Sequence, residues 1–188
     1  HEAGIPREAL QFLPGDGASV GSALTSHPDV DGVAFTGGTD TARLINLALA
    51  GRDAPLASLV AETGGQNAML VDSSALPEQV VEDVIGSAFL SAGQRCSALR
   101  VLFLQEDVAD RIIAMLDGAM QELAVGPPRW LSTDVGPVID EEALAVLQEH
   151  ADRLEAAGKL LARAPVPPGL EGHFFAPRAF AIDDISDL

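Results

Sequence analysis

Cysteine is almost absent from this chain: among 188 residues only Cys96 carries a thiol. One thiol cannot form an internal disulfide, and without a CxxC pair or His-rich spacing the sequence offers zinc no ligand set. Cys96 is therefore either a small buried hydrophobe or a reactive group. Long apolar runs are missing too. There is no stretch of eighteen or more apolar residues and no basic segment leading into a hydrophobic one, so neither membrane insertion nor secretion has support. A cytoplasmic protein is the expectation. Basic residues are scarce, 11 lysines and arginines against 28 acids, for a formal charge of −17. That balance disfavours nonspecific contact with a phosphate backbone, and direct nucleic-acid binding by this segment is not expected. The acids are scattered and read as a solvated surface. The chain opens on HEAGIP without a methionine and stops at DDISDL just after an apolar run. These ragged ends are read as those of a piece of a longer polypeptide.

What is present is enough apolar sequence to bury a core, 47% of residues, and an alternation of strand-like and helical patterns that predicts an α/β fold around a largely parallel sheet. The strand candidates are Gln11–Leu13, Gly32–Phe35, Ser58–Val60, Ala68–Val71, Leu99–Leu104, Lys159–Ala162 and Phe174–Ile182. Three helices are clearer. Val80, Val81, Val84, Ile85, Ala88 and Phe89 share one helical face, with Pro77 and Glu78 suited to the first turn. Val108, Ile112, Leu116, Met120 and Leu123 repeat the pattern, with Gly126, Pro127 and Pro128 as the expected stop. Leu144, Leu147, Ala151 and Leu154 line a third helix, from an Asp140 N-cap to Gly158. Met115 and Met120 read as core on this spacing. The proline-rich Ala164–Gly169 stretch reads as a surface loop.

Three features could carry chemistry. Cys96 lies between a long helix and the Leu99–Leu104 strand, in a loop opened by Ser91, Ala92 and Gly93, where backbone can approach a ligand closely. A free thiol ionises near pH 8.5, so a nucleophilic role needs a neighbouring base or positive field. Arg95 could supply the field, against the negative end of the preceding helix. The second feature is Glu62, set in the apolar stretch LASLVAETGGQNAMLV. Desolvation there would raise its pKa and suit it to take a proton from a thiol or from water, whereas a glutamate that merely bonds turn amides before two glycines is the plainer alternative. His27, His150 and His173 have no special setting and are assigned to the surface. The third feature is DGVAFTGGTDTARLINLALAG, an apolar strand running through Phe35, Thr36, Gly37, Gly38 and Thr39 into a helix that ends near Gly51. A strand, a glycine turn and a helix N-terminus present free amides to an anion such as a dinucleotide pyrophosphate. An ordinary turn using glycine is an equal reading of the same residues, which do not form GxGxxG.

The order FTGGTDTA, AETGGQNAMLV, SAGQRCSALRVLFL, TDVGPVID and HFFAPRAFAI resembles the aldehyde dehydrogenase superfamily over the whole chain. The second and third motifs look closest to its glutamate-semialdehyde (1-pyrroline-5-carboxylate) dehydrogenase branch, which forms half of a bifunctional bacterial proline-utilisation protein. The resemblance implies residue roles. Cys96 matches the family's catalytic nucleophile, which captures the aldehyde as a thiohemiacetal that is oxidised to a thioester. Glu62 matches the general base that activates water for hydrolysis, and marks the seam between a cofactor domain, here residues 1–61, and a catalytic domain, here 62–188. Thr36, Gly37, Gly38 and Thr39 fall in the loop that holds the pyrophosphate of NAD. Where this chain has Gly38 the family usually has serine, which removes one hydroxyl bond to phosphate. The family's oxyanion asparagine and its nicotinamide-ribose glutamate fall outside these residues, so the segment alone is expected to be inactive. FAD would belong only to a proline dehydrogenase domain elsewhere. The implied partners are a small-molecule aldehyde, the rest of the polypeptide and, for the full-length protein, further copies of itself. A catalytically silent domain of the same fold, a dehydrogenase for another aldehyde and a thioester-forming acyltransferase are the alternatives.

Overall fold

The computed structural model describes residues 3–188, and these fall into two compact units that divide between Gly64 and Gly65. The first begins with irregular chain and a short helix α1 (Ser22–Ser26). It continues as strand β1 (Gly32–Gly37), helix α2 (Thr39–Ala50) and strand β2 (Ser58–Thr63). β1 and β2 pair in parallel from Gly32 opposite Ser58 to Gly37 opposite Thr63. Parallel neighbours need a crossover between them, and α2 supplies it. Arg52 fastens the return from that crossover, its guanidinium donating to the carbonyls of His27 at 2.7 Å and Val30 at 2.8 Å.

The second unit repeats the device. β3 (Asn67–Val71), α3 (Pro77–Phe89) and β4 (Leu99–Leu104) form another parallel βαβ unit. Helices α4 (Glu106–Gln121) and α5 (Glu141–Ala156) follow, then β5 (Leu160–Arg163) and β6 (Arg178–Phe180), which pair antiparallel. The helical periods are realised on α3 and α4, but on α5 only Ala151 and Leu154 are buried, and Leu147, expected inside, is 36% exposed. Val80, Val81 and Val84 of α3 are buried against Ile112, Leu116 and Met120 of α4, together with Leu99 of β4. Asp140 caps α5 by accepting from the Ala143 amide at 2.8 Å. The same helix ends in a Schellman motif, with Gly158 at φ 71°, its N–H donating to Glu155 and that of Lys159 to Leu154.

Four further expectations need correction. Among the described residues the strands pair as three two-stranded sheets, two parallel and one antiparallel, and not as one largely parallel sheet. Gln11–Leu13 is not a strand: it has no pairing partner among the described residues, and Phe12 is 88% exposed. The Phe174–Ile182 run is a strand only over Arg178–Phe180; on its N-terminal side Pro177 has no N–H to give a ladder. Finally, α4 stops at Gln121, short of the glycine and prolines. The chain leaves the helix early and runs extended, which puts Leu123 and Val125 into the core, while the Asp134 carboxylate takes the Ala124 amide at 2.8 Å.

Burial across the second unit sets the size of single substitutions. Ile112 is 1% exposed within the core cluster, whereas Leu131 is fully exposed. Ile112→Ala is expected to lower stability by about 2–5 kcal/mol and Leu131→Ala to change it by less than about 0.5 kcal/mol, both read from urea denaturation midpoints.

Candidate active site

In the first unit the parallel register brings two of the sequence candidates side by side. Thr36 lies opposite Glu62, and Gly37 opposite Thr63. Both strands end here, at their carboxyl edge, where open α/β sheets bind ligands. Beyond Gly37 the chain turns directly into α2. Gly38 is its N-cap, with φ −72° and ψ 147°, and no side chain bonds the first-turn amides. Those amides, beginning at Thr39, are open to an anion. Asp40 stands in the same turn, its carboxylate 3.4 Å from Arg43.

The two glycines differ. A Cβ on Gly37 would lie 2.5 Å from the Phe35 ring, so that ring lies against the glycine face; a Cβ on Gly38 would meet nothing within 4 Å. The missing serine is thus no steric exclusion. Glu62 itself is exposed, so the apolar stretch around it does not bury it. The expected desolvation is not supplied, because β2 is one strand of a two-stranded sheet and shows most of its residues to solvent.

Cys96 belongs to the second unit and is exposed. A buried-filler role is therefore excluded. After α3 the chain passes through Ser91 (φ 58°), Ala92 (φ 52°) and Gly93 (φ 68°), three consecutive residues in the left-handed region. Ser91 and Ala92 are the only non-glycine residues with positive φ among those described. Each costs roughly 1–2 kcal/mol, and such strain concentrates where a loop is held for a purpose. The chain then makes a tight turn closed by the Ala98 amide on the Arg95 carbonyl at 3.2 Å. Cys96 and Ser97 are the two central residues of that turn, while Ala98 is completely buried.

The surroundings of the thiol are hydrogen-bonding groups. Arg95 donates at 2.9 Å to the carbonyls of both Gly86 and Ser87. The positive field and the opposing helix end anticipated from sequence are thereby spent on each other. Asn67, the first residue of β3, donates from Nδ2 to the carbonyls of Cys96 at 2.7 Å and Ala98 at 2.9 Å. Gln94 donates to Ser91 and Pro137 carbonyls at 3.0 and 3.3 Å and accepts from the Ile139 amide at 2.8 Å. Arg100 donates to the Gly93 carbonyl at 2.7 Å. Sequence reasoning missed Asn67, Gln94 and Arg100. The available signal was the presence of primary amides inside the two motifs that carry Glu62 and Cys96.

Gly93 should be the least replaceable residue of the loop. A Cβ there would sit 2.8 Å from the Ala88 carbonyl oxygen and 3.0 Å from Arg100 Nη1, on a left-handed backbone. Gly93→Ala is expected to cost about 1–2 kcal/mol from the backbone alone and more from the overlap. Gly118→Ala, in open space on α4, should instead gain up to about 1 kcal/mol; urea denaturation checks both signs.

The aldehyde dehydrogenase family profile matches residues 1–184. The chain is 48% identical to the bifunctional protein PutA of Escherichia coli, over all of this chain and 15% of that protein. It is 33% identical to the 1-pyrroline-5-carboxylate dehydrogenase of Geobacillus kaustophilus, over 96% of this chain and 35% of the relative. The crystal structure of a mutant proline utilization A from Bradyrhizobium japonicum superposes with a TM-score of 0.95 at 54% identity, covering all of this chain and 19% of that one. The chain thus spans only a minor part of the length of the relatives it matches.

Proposed function

The chain belongs to the aldehyde dehydrogenase family, and from that premise we propose that it is part of a PutA-type polypeptide that oxidises L-glutamate γ-semialdehyde to L-glutamate in proline catabolism. Cys96 is the nucleophile in this reading, Glu62 the general base, and Thr36, Gly37, Gly38 and Thr39 the seat of the cofactor pyrophosphate. Residues 1–61 complete a cofactor domain and 62–188 begin a catalytic domain. The observation that carries the reading is that Cys96 stands exposed at the centre of a hydrogen-bonded turn, a setting that serves attack on a carbonyl and contributes nothing to packing.

The uncapped first turn of α2 and the ring-backed Gly37 fit an anionic cofactor group. NAD, when bound, would supply the hydride acceptor. The chain's own part is covalent and acid–base. The Cys96 sulfur adds to the aldehyde carbon, dividing one difficult oxidation into two steps through a thiohemiacetal and a thioester. Glu62, solvent-facing at the end of β2, takes a proton from the water that attacks the thioester carbonyl, releasing the carboxylate product and the free thiol.

The test uses the complete protein with a panel of aldehydes, following NADH absorbance. Turnover should be highest with glutamate semialdehyde and be abolished in Cys96→Ala. Glu62→Gln should lower steady-state turnover by about a hundred- to ten-thousandfold while keeping a first-turnover burst of NADH, because thioester formation precedes the step it serves. Absence of NADH with every aldehyde would overturn the assignment. A Glu62→Gln variant with unchanged turnover would overturn the base.

A further inference from the structure

An exposed nucleophile has a placement problem: packing does not enclose it and so does not by itself fix it. Cys96 is exposed at the centre of the Arg95–Ala98 turn, and its neighbours Arg95 and Ser97 are exposed as well. Two primary amides bond that turn and its approach. Asn67 comes from the start of β3 and spends both N–H groups of one amide on the Cys96 and Ala98 carbonyls, at 2.7 and 2.9 Å. Those carbonyls flank Ser97, so the pair of bonds fixes the turn as a fork would. Gln94 immediately precedes the turn. It ties the Ser91 carbonyl on one side to the Pro137 carbonyl and Ile139 amide on the other, using both ends of its side chain.

We infer that Asn67 and Gln94 are positioning residues for the Cys96 thiol, their side-chain amides holding the nucleophile's turn in the geometry that packing cannot impose. The inference rests on the role proposed for Cys96 but concerns different residues. Neither side chain touches substrate or cofactor in this account; Asn67 acts through the Cys96 and Ala98 carbonyls, and Gln94 by tying the loop to Pro137 and Ile139. The chemistry is specific to a primary amide. An aspartate at 67 has the same size but, ionised, offers only acceptors to two carbonyls. A glutamate at 94 keeps the bond from Ile139 and loses both donations.

The experiment compares Asn67→Ala, Asn67→Asp and Gln94→Glu with the parent in the complete protein, by kinetics and by hydrogen exchange. The expected result is a ten- to hundredfold lower kcat, of the order a misplacement of about 1 Å produces, with KM for NAD within twofold. Exchange of the Ala98 amide should accelerate at least tenfold while amides of α4 keep their protection. The near-isosteric Asn67→Asp guards against a variant that fails to fold. A purely structural role would raise exchange throughout the second unit and leave kcat within twofold below the melting temperature; that outcome overturns the inference. So does loss of kcat without faster Ala98 exchange, or faster exchange without loss of kcat. If the parent protein reduces no NAD, the proposed function fails; the exchange comparison still decides whether the amides hold the turn.

Discussion

The structure around Cys96 is governed by two demands that conflict: the sulfur must be open to a reactant, and it must stay in one place. Burial ordinarily supplies the second by denying the first, since close packing leaves a side chain few alternatives. Here the conflict is divided between neighbours. Gly93 and Ala98 are buried on either side, and the residues between them project outward. Polar bonds to backbone carbonyls then take over the work of packing. Asn67, Gln94 and Arg100 each donate to a carbonyl of the segment from Ser91 to Ala98.

This arrangement explains an irregularity in the sheet. The β3–β4 register shifts after Asn67, which pairs with Leu99, while Ala68 pairs with Val101. β4 therefore carries one extra residue, Arg100. Extra residues of this kind re-aim side chains at the margins of sheets, and both residues at the slip are used on the loop. Asn67 turns its amide to Cys96 and Ala98, and Arg100 turns its guanidinium to Gly93. The left-handed run from Ser91 to Gly93 has the same consequence from the other side. It brings the chain sharply off α3, so that Arg95 can return to the last carbonyls of that helix.

How far the sequence disclosed this follows from the range of the forces involved. The faces of α3, α4 and α5 were legible because burial imposes a local period, and Val84, Ile112 and Leu154 all fell on the buried side. β4 was legible to the residue. β6 was not: it is shorter than its apolar run, and Pro177 on its N-terminal side lacks a donor. Gln11–Leu13 had strand composition without a partner, and composition cannot reveal a partner. The strand expected over Ser58–Val60 runs on to Thr63 and so carries Glu62 near its end, and the exposure of Glu62 depends on how few strands stand beside it. Cys96 was conspicuous in sequence because its type is unusual in its setting, whereas the Gly37–Gly38 turn admitted an ordinary reading equally. Asn67 and Gln94 were not conspicuous, because their long-range bonds reach across 29 to 45 residues of chain, to backbone atoms that every residue possesses.

The two βαβ units show why the candidates cluster where they do. In each, the crossover helix starts or ends where the chain must turn tightly, and the turn leaves backbone groups without strand partners. At the first, the open groups are amides at the start of α2, beside the carboxylate end of β2. At the second, they are carbonyls at the end of α3 and around Cys96, and they are occupied by Arg95, Gln94 and Asn67. Free donors favour an incoming anion, whereas satisfied acceptors favour a loop that stays fixed. The same topology thus yields a place suited to binding at one junction and a rigid mount for a thiol at the other. The difference between them lies in which backbone groups the side chains leave open.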